Sequence, residues 1–346
     1  MLAKTSIKKI FNSTSNDKFS VSYRNDFNWD EVFFNCSPQV VFYRSHYIEF
    51  AIECLRGNDI ICIDFSLGIK LDRKIIALFP LFYIENKNKK ILGFLEDTIC
   101  PPIFIHSISK KIKKEVSVLL VDKLKSLFLK LNINNPIISD QLWPSNSLSI
   151  WHKSVLNHSK KCAVIRELFL NLNSDYSKTR SYYRKSYKGL ISKADKLFKP
   201  SKLEKNDKVS WNEFRILHYN SAGRKTRSDR SWELLFHEIK EGKSDLYFCR
   251  DIDGIMRGGS FVMKSNLEAF YAVAAYDRDF FHLPIGHYLQ DFIIKDLLKT
   301  NIQWYRFGRL YKKSDFDMPN DKQIQIGQFK AGFSSDLIAN YRFIGF

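Results

Sequence analysis

Residues 246–308 read LYFCRDIDGIMRGGSFVMKSNLEAFYAVAAYDRDFFHLPIGHYLQDFIIKDLLKTNIQWYRFG, and this stretch decides the fold. Two apolar runs, Leu246–Cys249 and Ile255–Met263, flank Asp253-Gly254. This dipeptide is typical of tight β-hairpin turns, because glycine accepts a positive φ. Leu267–Ala275 is a third apolar run. The pattern therefore predicts three antiparallel strands in succession.

A helix and a returning strand are predicted next. Apolar side chains recur at helical spacing at Leu283, Ile285, Leu289, Phe292, Ile293 and Leu297. Gln303–Phe307 then reads as a further strand. Within the preceding strands, Gly258-Gly259 indicates a bulge or a close approach of other groups to the backbone. The whole stretch predicts a compact α/β unit.

Composition and charge limit the possible partners. At 346 residues the chain is long enough for two domains, and 45% hydrophobic and 15% aromatic residues predict sizeable cores. A net charge of +18 favours an anionic partner: nucleic acid, nucleotide phosphates or a membrane surface. The alternative is a compositional bias towards Lys, Asn and Ile that raises the charge without any ligand.

Cysteine usage and the N-terminus indicate where the protein acts. The cysteines stand singly, so neither a zinc site nor a disulfide framework is predicted: Cys36, Cys54, Cys62, Cys100, Cys162 and Cys249. No apolar segment follows the basic N-terminus, and Ile75–Ile84 is too short to span a bilayer. We expect a cytoplasmic protein, with peripheral contact at the anionic inner face of the membrane left open.

The N-terminal half has a similar order of elements. Met1–Asn28 is expected to be an adaptable lead-in. The helices predicted next are Val40–Leu55 and Ile112–Leu131, and the predicted strands are Ile60–Phe65, Lys74–Ile84, Ile91–Leu95 and Pro136–Leu142. This repeat predicts two related domains, 1–165 and 166–346, with the seam within Leu156–Leu170 and a ligand groove between them.

The most basic segment follows this seam. Asp175–Phe198 predicts one amphipathic helix, along which Arg180, Arg184 and Lys188 recur at i, i+4 spacing. Such a cationic ridge suits phosphate groups. A second basic cluster follows the helix predicted at Trp211–Asn220 and consists of Arg224, Lys225, Arg227 and Arg230. A solvated helix face is the alternative to a phosphate-binding role.

Motifs of several common enzyme classes are absent from the sequence. It contains no HExxH, GxSxG, P-loop or GxGxxG, which argues against zincins, serine hydrolases, kinases and Rossmann enzymes. Asp251, Asp253 and Asp277 are spread over turns rather than paired, so a glycosidase is not indicated. His282 and His287 have no evident third partner, and no metal site is predicted.

Blocks of the C-terminal half carry a family resemblance. In chain order they read SYYRKSYKGLISKADK, AGRKTRSDRSWELL, DIDGIMRGGSFV, AFYAVAAYDRDFFHLPIGHYLQDFIIKDL, WYRFGRLY and IGQFKAGFSSDL. With them the chain resembles the FemAB/FemX-like branch of the GNAT acyltransferase superfamily, which includes CelD-like proteins. The segment that carries the resemblance covers about half of the chain. The N-terminal half is similar to the family in layout only.

The resemblance implies both a fold and an activity. The fold is α/β (α+β), with two GNAT-like domains, each a mixed, mostly antiparallel sheet flanked by helices, and a cleft between them. The activity is transfer of an acyl or aminoacyl group to an amine of a cell-envelope glycan or peptidoglycan-like precursor, carried on a nucleotide- or lipid-linked sugar. No tightly bound cofactor is implied, and the oligomeric state stays open. The alternatives are an acyl-CoA-dependent N-acetyltransferase of an amino sugar and a non-catalytic RNA- or membrane-binding module on a degenerate GNAT scaffold.

The implied donor is aminoacyl-tRNA or acyl-CoA. Ordinary GNAT enzymes hold the CoA pyrophosphate on a glycine-rich turn that opens a helix, because free backbone N–H groups bind anions. Here the turn His282–His287 keeps only Gly286, and Pro284 has no N–H to donate. A typical CoA cradle is therefore not expected. Fem-type enzymes are similar in this respect, and they use aminoacyl-tRNA.

Lys330 is the site residue that the resemblance supports most. It matches the Phe-Lys position of Fem-type enzymes, which implies a role at the donor end. We expect it at a strand end, where its cation would stabilise an oxyanion or a terminal phosphate; the alternative is a surface lysine that caps a hairpin. Tyr271 and His287 are expected to carry protons. The predicted substrate- or phosphate-binding residues are Arg180, Arg184, Lys188, Arg224, Arg227, Arg230, Arg309 and Phe329.

Overall fold

The computed structural model describes residues 2–12, 18–55, 60–87, 89–95, 97–140, 143–144 and 147–346. The chain forms two compact units. The first contains Met1–Ile165 and Ala339–Phe346, and the second contains Arg166–Ile338. The last residues thus group with the first unit, whereas the sequence pattern placed them in the second.

The first unit has two antiparallel sheets and a set of helices. Its helices are α1 (Leu2–Asn12), α2 (Trp29–Phe33), α3 (Ser45–Leu55), α4 (Lys110–Leu131) and α5 (Ile150–Leu156). Its strands are β1 (Phe19–Tyr23), β2 (Cys36–Ser37), β3 (Ile61–Asp64), β4 (Leu67–Leu71), β5 (Lys74–Phe79), β6 (Phe82–Glu85), β7 (Lys90–Gly93), β8 (Ile103–Ile105) and β9 (Ile137–Asp140). The strand orders are β1-β4-β5-β8-β2 and β3-β6-β7.

The N-terminal residues do not form the lead-in that the sequence predicted. α1 buries Ile7 and Phe11 in the core of the first unit, and β1 pairs with β4 in an antiparallel register. The prediction missed this because the lysines at positions 4, 8 and 9 and the Ser/Asn-rich stretch that follows made the segment read as solvated. Residues 13–17 of the expected lead-in lie outside the described residues.

Three further predictions in this unit can be compared with the structure, and two of them are corrected. The helix expected over Val40–Leu55 begins only at Ser45, after a 3₁₀ turn. The strand expected over Lys74–Ile84 is two strands in different sheets, because Pro80 at its centre has no N–H for a ladder. β9 confirms the strand expected at Pro136–Leu142, of which Gln141 and Leu142 lie outside the described residues.

The second unit is a mixed sheet with helices. Its strands are β10 (Lys161–Asn171), β11 (Lys199–Lys202), β12 (Ser244–Arg250), β13 (Met256–Lys264), β14 (Glu268–Tyr276) and β15 (Trp304–Leu310), in the order β11-β12-β13-β14-β15-β10. Its helices are α6 (Tyr176–Ser181), α7 (Lys185–Asp195), α8 (Lys208–Ala222), α9 (Asp229–Lys240), α10 (Ile285–Leu297) and α11 (Asp321–Ala331). β16 (Asp336–Ile344) then leads the chain back into the first unit.

The predictions for residues 246–308 are confirmed. β12, β13 and β14 are consecutive antiparallel strands, α10 follows, and β15 returns parallel to β14. The first turn is tight because Gly254 has a φ of +78° and the Asp251 carboxylate accepts the N–H groups of Asp253 and Ile255. The predicted close approach at Gly258-Gly259 is also present. A Cβ on Gly259 would lie 2.6 Å from the Phe214 ring.

The basic helix expected over Asp175–Phe198 is broken. Arg184 has an extended backbone (φ −50°, ψ 133°) between α6 and α7, and its N–H donates to the Gly332 carbonyl at 2.8 Å. This tertiary hydrogen bond replaces a helical one. Arg180 and Lys188 therefore lie on different helices, and the predicted cationic ridge is interrupted.

Candidate functional site

The parallel strands β14 and β15 separate after a short paired segment. Glu268–Phe270 pairs with Trp304–Arg306, and in the described chain this pairing does not continue further. Tyr271–Tyr276 remains paired with β13 on its other side. The facing edge of β14 therefore has backbone N–H and C=O groups outside the sheet ladder. Such groups require another partner, which makes this edge a natural binding surface.

A bulge in β15 causes the separation. The register between β15 and β10 shifts so that Phe307 has no opposite residue. Gly308 follows with a φ of +90°, which residues with a side chain rarely adopt. An unpaired extra residue bends a strand. β15 therefore turns away from β14 just beyond the paired segment.

A cavity of about 890 Å³ lies over the open part of β14, entirely within the second unit. Its floor is Tyr271–Tyr276. Its walls come from the end of α8, the loop before α9, the segment after β14 and one face of α11. The wall residues are His218, Ser221, Ala222, Thr226, Arg227, Arg278, Phe281, Lys322, Gln325, Ile326, Phe329 and Lys330.

The cavity is cationic. Arg227, Arg278, Lys322 and Lys330 line it, and no Asp or Glu occurs among the described residues of its wall. Arg278 donates to the Ser221 carbonyl at 2.8 Å, which ties the segment after β14 to the end of α8. An excess of positive charge without neighbouring carboxylates favours an anionic ligand or a reaction in which negative charge develops.

One face of α11 carries much of this lining. Asn320 begins the helix with a capping box: its side chain accepts the Gln323 N–H, and the Gln323 side chain accepts the Asn320 N–H. Wall residues at positions 322, 325, 326, 329 and 330 follow the i, i+3, i+4 pattern of one helical face. Lys330 therefore lies in the last turn of a helix. The expectations of a strand end and of a hairpin cap were both wrong.

Lys330 is held in an unusual environment. Its Nζ lies 5.3 Å from the centroid of the Tyr271 ring, an attractive cation–π arrangement. The side chain is half-buried, and no hydrogen bond or ion pair of this ammonium group occurs among the described residues. Burial lowers the pKa of Lys330 from 10.5 to about 8, with the carboxylate of Glu167 acting in the opposite direction. The group is therefore mostly charged at neutral pH and loses its proton slightly above it.

Phenol groups form the floor beneath this lysine. The Tyr271 and Tyr276 hydroxyls lie 3.1 Å apart, and the Tyr276 hydroxyl is 3.2 Å from Ser260 Oγ. Tyr305 donates to Gln290 Oε1 at 2.9 Å. Burial raises the pKa of Tyr271 well above its ordinary value. These phenols are therefore neutral hydrogen-bonding groups at physiological pH rather than bases.

Arg227 and His218 form a pair at the wall. Arg227 Nη1 donates to His218 Nε2 at 2.9 Å, and the guanidinium lies 5.5 Å from the centroid of the Trp232 ring. Burial, together with the charge of Arg227, lowers the pKa of His218 to about 4. Of the same predicted cluster, Arg224 is exposed and Arg230 is bonded to Glu233 at 3.1 Å. Only Arg227 of this cluster reaches the cavity wall.

His287 lies behind the cavity wall rather than in it. Its ring centroid is 4.4 Å from that of Tyr187 and 5.0 Å from that of Phe329, both in edge-to-face geometry. Burial, with a smaller contribution from Arg184, lowers the pKa of His287 to about 4. The structure therefore places a neutral imidazole in an aromatic cluster. Phe329 separates it from the cavity.

The remaining predicted cations lie apart from the cavity wall. Arg184 is exposed and donates to the Gln328 carbonyl at 3.1 Å, which fastens the start of α7 to α11. Arg180 and Lys188 are half-buried on α6 and α7. Arg309 is buried and donates to the carboxylate of Asp317 at 2.7 Å. Its charge is already compensated within the protein.

The start of α10 has no free anion-binding cradle. The Ile285 N–H donates to the Leu283 carbonyl at 2.9 Å, and the His287 N–H donates to the Pro284 carbonyl at 3.1 Å. Aromatic rings cover the one glycine of this turn: a Cβ on Gly286 would lie 3.3 Å from Phe329. Two N–H groups of this turn are therefore bonded within the chain, and its glycine faces an aromatic ring.

The cavity thus brings together Lys330, Tyr271, Arg227 and Phe329 of the predicted site residues. The sequence reading missed the contributions of α11 and of the end of α8, including His218, Lys322 and Gln325. The signal that could have found α11 is Asn320-Asp321-Lys322-Gln323, a capping-box pattern. No sequence signal identifies His218, because its position depends on how α8 packs on β14.

Neither a metal centre nor a membrane-spanning helix occurs in the described part of the chain. No group of three or more His, Cys, Asp or Glu side chains suited to a metal ion is present among them. None of the helices in the described ranges combines the length and apolar character needed to cross a bilayer.

Comparisons with known proteins establish the fold. No protein-family model matches the chain. No curated protein matches its sequence. The structure of FemX is similar to it with a TM-score of 0.66 at 11% identity, over 94% of this chain and 97% of FemX. Two other solved structures, described as a lysylphosphatidylglycerol synthetase C-terminal domain from Agrobacterium fabrum and as L-PGS from Bacillus licheniformis, each give a TM-score of 0.52.

These similarities confirm the predicted fold class. The lysylphosphatidylglycerol synthetase domain and L-PGS are 11% and 10% identical to this chain, and the similarity to each covers 78% of it. The likeness in fold to FemX covers 94% of the chain, although the sequence blocks that carried the resemblance lie in one half. At such identities the likeness concerns the fold, and the chemistry has to be argued from the side chains.

Proposed function

We propose that this chain is an acyltransferase of the FemAB-like GNAT type. It would transfer an aminoacyl or other acyl group to an amine of a cell-envelope glycan or peptidoglycan-like precursor. The observation that supports this most is Lys330, a half-buried cation over the Tyr271 ring, beside the point where β14 and β15 part. A cation fixed in a cavity whose described wall residues include no carboxylate suits a reaction that develops an oxyanion.

In the proposed reaction the acceptor amine attacks the carbonyl carbon of an activated ester. Negative charge then develops on the carbonyl oxygen, and the Lys330 ammonium stabilises it. Because the pKa of Lys330 is lowered to about 8, the same group can pass a proton to the departing oxygen as the ester C–O bond breaks, and it regains a proton from the attacking amine nitrogen as the amide forms. Tyr271 would orient the ammonium through its ring, and its hydroxyl is fixed by Tyr276 at 3.1 Å. Positioning and charge stabilisation supply most of the catalysis.

Aminoacyl-tRNA is the donor that we propose. The covered and internally bonded start of α10 argues against a pyrophosphate cradle, and hence against acyl-CoA as the main donor. The net charge of +18 and the exposed cations Arg224, Arg184 and Lys322 suit a polyanionic donor. Of the predicted phosphate-binding residues, Arg227 is the one on the cavity wall.

The proposed acceptor is a nucleotide- or lipid-linked sugar that carries a free amine. Four cations around the cavity would bind its phosphate groups, and the apolar wall residues Phe281 and Ile326 would contact its less polar part. A lipid-linked acceptor would present its sugar at a membrane surface. We therefore propose a cytoplasmic location with peripheral contact to that surface.

A transfer assay tests this proposal. The purified chain is incubated with tRNA charged with radiolabelled amino acids, or with labelled acetyl-CoA, and with a UDP-linked muramyl pentapeptide or amino sugar as acceptor. We expect label in an acid-stable amide on the acceptor, with tRNA as the better donor. Lys330→Ala should lower kcat by about 10²-fold or more. Lys299→Ala, an exposed lysine outside the cavity wall, is the matched control and should keep full activity.

The two alternatives give different results in the same assay. Amide formation from acetyl-CoA alone would identify an acyl-CoA-dependent N-acetyltransferase. No transfer from any donor, together with RNA or anionic-vesicle binding that falls steeply with salt, would identify a non-catalytic binding module. Full activity of Lys330→Ala would remove this lysine from the mechanism.

A further inference from the structure

The cavity contains a primary amine whose neighbour differs from those of several ion-paired lysines of the second unit. Lys202 is bonded to Asp245 and Asp296, Lys264 to Asp245, and Lys295 to Asp291. In each of these cases a carboxylate within 3.0 Å holds the proton on the amine. Lys330 has an aromatic ring in that place, at 5.3 Å from the centroid.

The surroundings of Lys330 favour loss of its proton and access to its lone pair. The carboxylate of Glu167 acts on it only at a distance, because Glu167 is bonded to Arg306. Its Nζ lies 3.7 Å from the place of a Cβ on Gly308, so the missing side chain there leaves space beside the amine. The cavity of about 890 Å³ admits small reagents to this point.

We propose that Lys330 is also a site of covalent acylation, at which the side-chain amine captures activated acyl groups that enter the cavity when no acceptor amine is present. The source of the acyl group in the cell rests on the proposed function. The reactivity of the amine does not depend on the proposed function, because it follows from the unpaired and half-buried position of the side chain.

The chemical step is a simple aminolysis. The neutral Nζ attacks the carbonyl carbon of a thioester, ester or anhydride, and a C–N bond forms. The C–S or C–O bond breaks, and the departing thiolate, alkoxide or carboxylate leaves with the electron pair. The proton of Nζ passes to that group or to water. The products are an amide on Lys330 and a free thiol, alcohol or acid, and no oxidant or cofactor is required.

Acylation of Lys330 would inactivate the site. The amide is neutral, so the cation over the Tyr271 ring is lost, and the acyl group occupies space at the parting of β14 and β15. An acceptor amine bound in the cavity competes for the same acyl group. The modification therefore limits use of the donor to conditions in which acceptor is available.

The expected reactivity can be compared with that of an ordinary lysine. With a pKa of about 8, roughly a tenth of the Lys330 amines are neutral at pH 7, against about one in 3,000 for a lysine at 10.5. Amines of lower pKa are also weaker nucleophiles, as the relation for thiols shows, which offsets about one order of magnitude. The neutral fraction is thus about 300-fold larger and the nucleophilicity about 10- to 20-fold lower, so acylation of Lys330 should be at least 10-fold faster than that of an exposed lysine.

Trace labelling of the full chain tests this inference. The protein is treated with limiting acetic anhydride from pH 6 to 10, and separately with the small thioester S-acetyl-N-acetylcysteamine, and each lysine is followed by peptide mass spectrometry. Lys322, exposed on the same helix and the same cavity wall, is the internal control. We expect Lys330 to react at least 10-fold faster than Lys322 at pH 7 and its rate to level off above about pH 8. Lys330→Arg should remove the thioester-dependent mass gain.

Failure of this inference is distinguishable from failure of the proposed function. Acetic anhydride needs no donor-binding site, so its result decides the reactivity of Lys330 even if no acyl transfer to acceptors is found. Labelling of Lys330 no faster than Lys322 overturns the inference, whether or not the transfer assay is positive. Fast anhydride labelling without any thioester adduct also overturns it, because thioesters are among the acyl groups that the amine is proposed to capture.

Discussion

Replacing Lys330 by methionine should make the protein more stable. The lysine keeps a charged group in a half-buried site, and this burial lowers its pKa from 10.5 to about 8. The difference between these values corresponds to about 3 kcal/mol at about 1.4 kcal/mol for each pKa unit. Because the side chain retains some exposure, solvent screening reduces the effect, and about 1–2 kcal/mol is expected. Methionine has a similar length and no charge to desolvate.

The gain should depend on pH in a defined direction. Between pH 8 and 10.5 the unfolded chain holds a proton on this lysine that the folded chain has released, so the stability of the native protein rises with pH in this window. Lys330→Met lacks this titration. Its advantage should therefore be complete below pH 8 and vanish towards pH 10.5.

Urea unfolding at pH 7, 9 and 10.5, followed by tryptophan fluorescence, measures this difference. Lys322→Met is the matched control, because Lys322 is exposed on the same helix. Its free energy of unfolding should stay within about 0.5 kcal/mol of the native value at each pH. A Lys330→Met variant that is less stable at pH 7, or whose gain is the same at all three pH values, would refute the reasoning.

Three further predictions concern the surroundings of the site. Gly308→Val should lower the free energy of unfolding by about 1–2 kcal/mol in urea titrations, because φ is +90° there. The control Gly189→Ala lies in a helix with open space around it and should raise the free energy of unfolding by up to about 1 kcal/mol. Equal effects of the two substitutions would contradict the bulge argument. His287→Phe should raise the melting temperature at pH 5 but not at pH 8, since burial lowers the pKa of His287 to about 4 and protonation between 6.5 and 4 favours the unfolded chain. Arg309→Met should cost about 1–3 kcal/mol in urea titrations, because it removes a buried cation that bonds the buried Asp315 and the exposed Asp317, while Arg166 stays beside Asp315. A near-native value would show that this ion cluster is solvated.

The order of elements in residues 246–308 could be predicted because local signals and tertiary structure agree there. The turn at Asp253-Gly254 needs only a glycine, and the alternating apolar runs match strands that are buried in the sheet. The return of the chain in a further strand, β15, was also expected. In such stretches the local preferences and the final packing point to the same structure.

Other parts depended on contacts that no local pattern reveals. The break before α7 exists because the Arg184 N–H bonds the carbonyl of Gly332, a residue far along the chain. The strand ending at Pro80 was misread because the apolar run continues on both sides of it. Lys330 was identified by resemblance, but its helix was not, and so the neighbours on that helix face were missed. The environment of Arg309 likewise depends on Asp317, which a loop brings back to it.

The unmatched residue in β15 has a consequence for recognition. Because Phe307 and Gly308 hold the two parallel strands apart through backbone geometry alone, the opening exists before any substrate arrives. A receptor that is already open spends little binding free energy on rearranging itself. Discrimination among candidate substrates then depends on how well each molecule fills a fixed shape, rather than on which one induces closure.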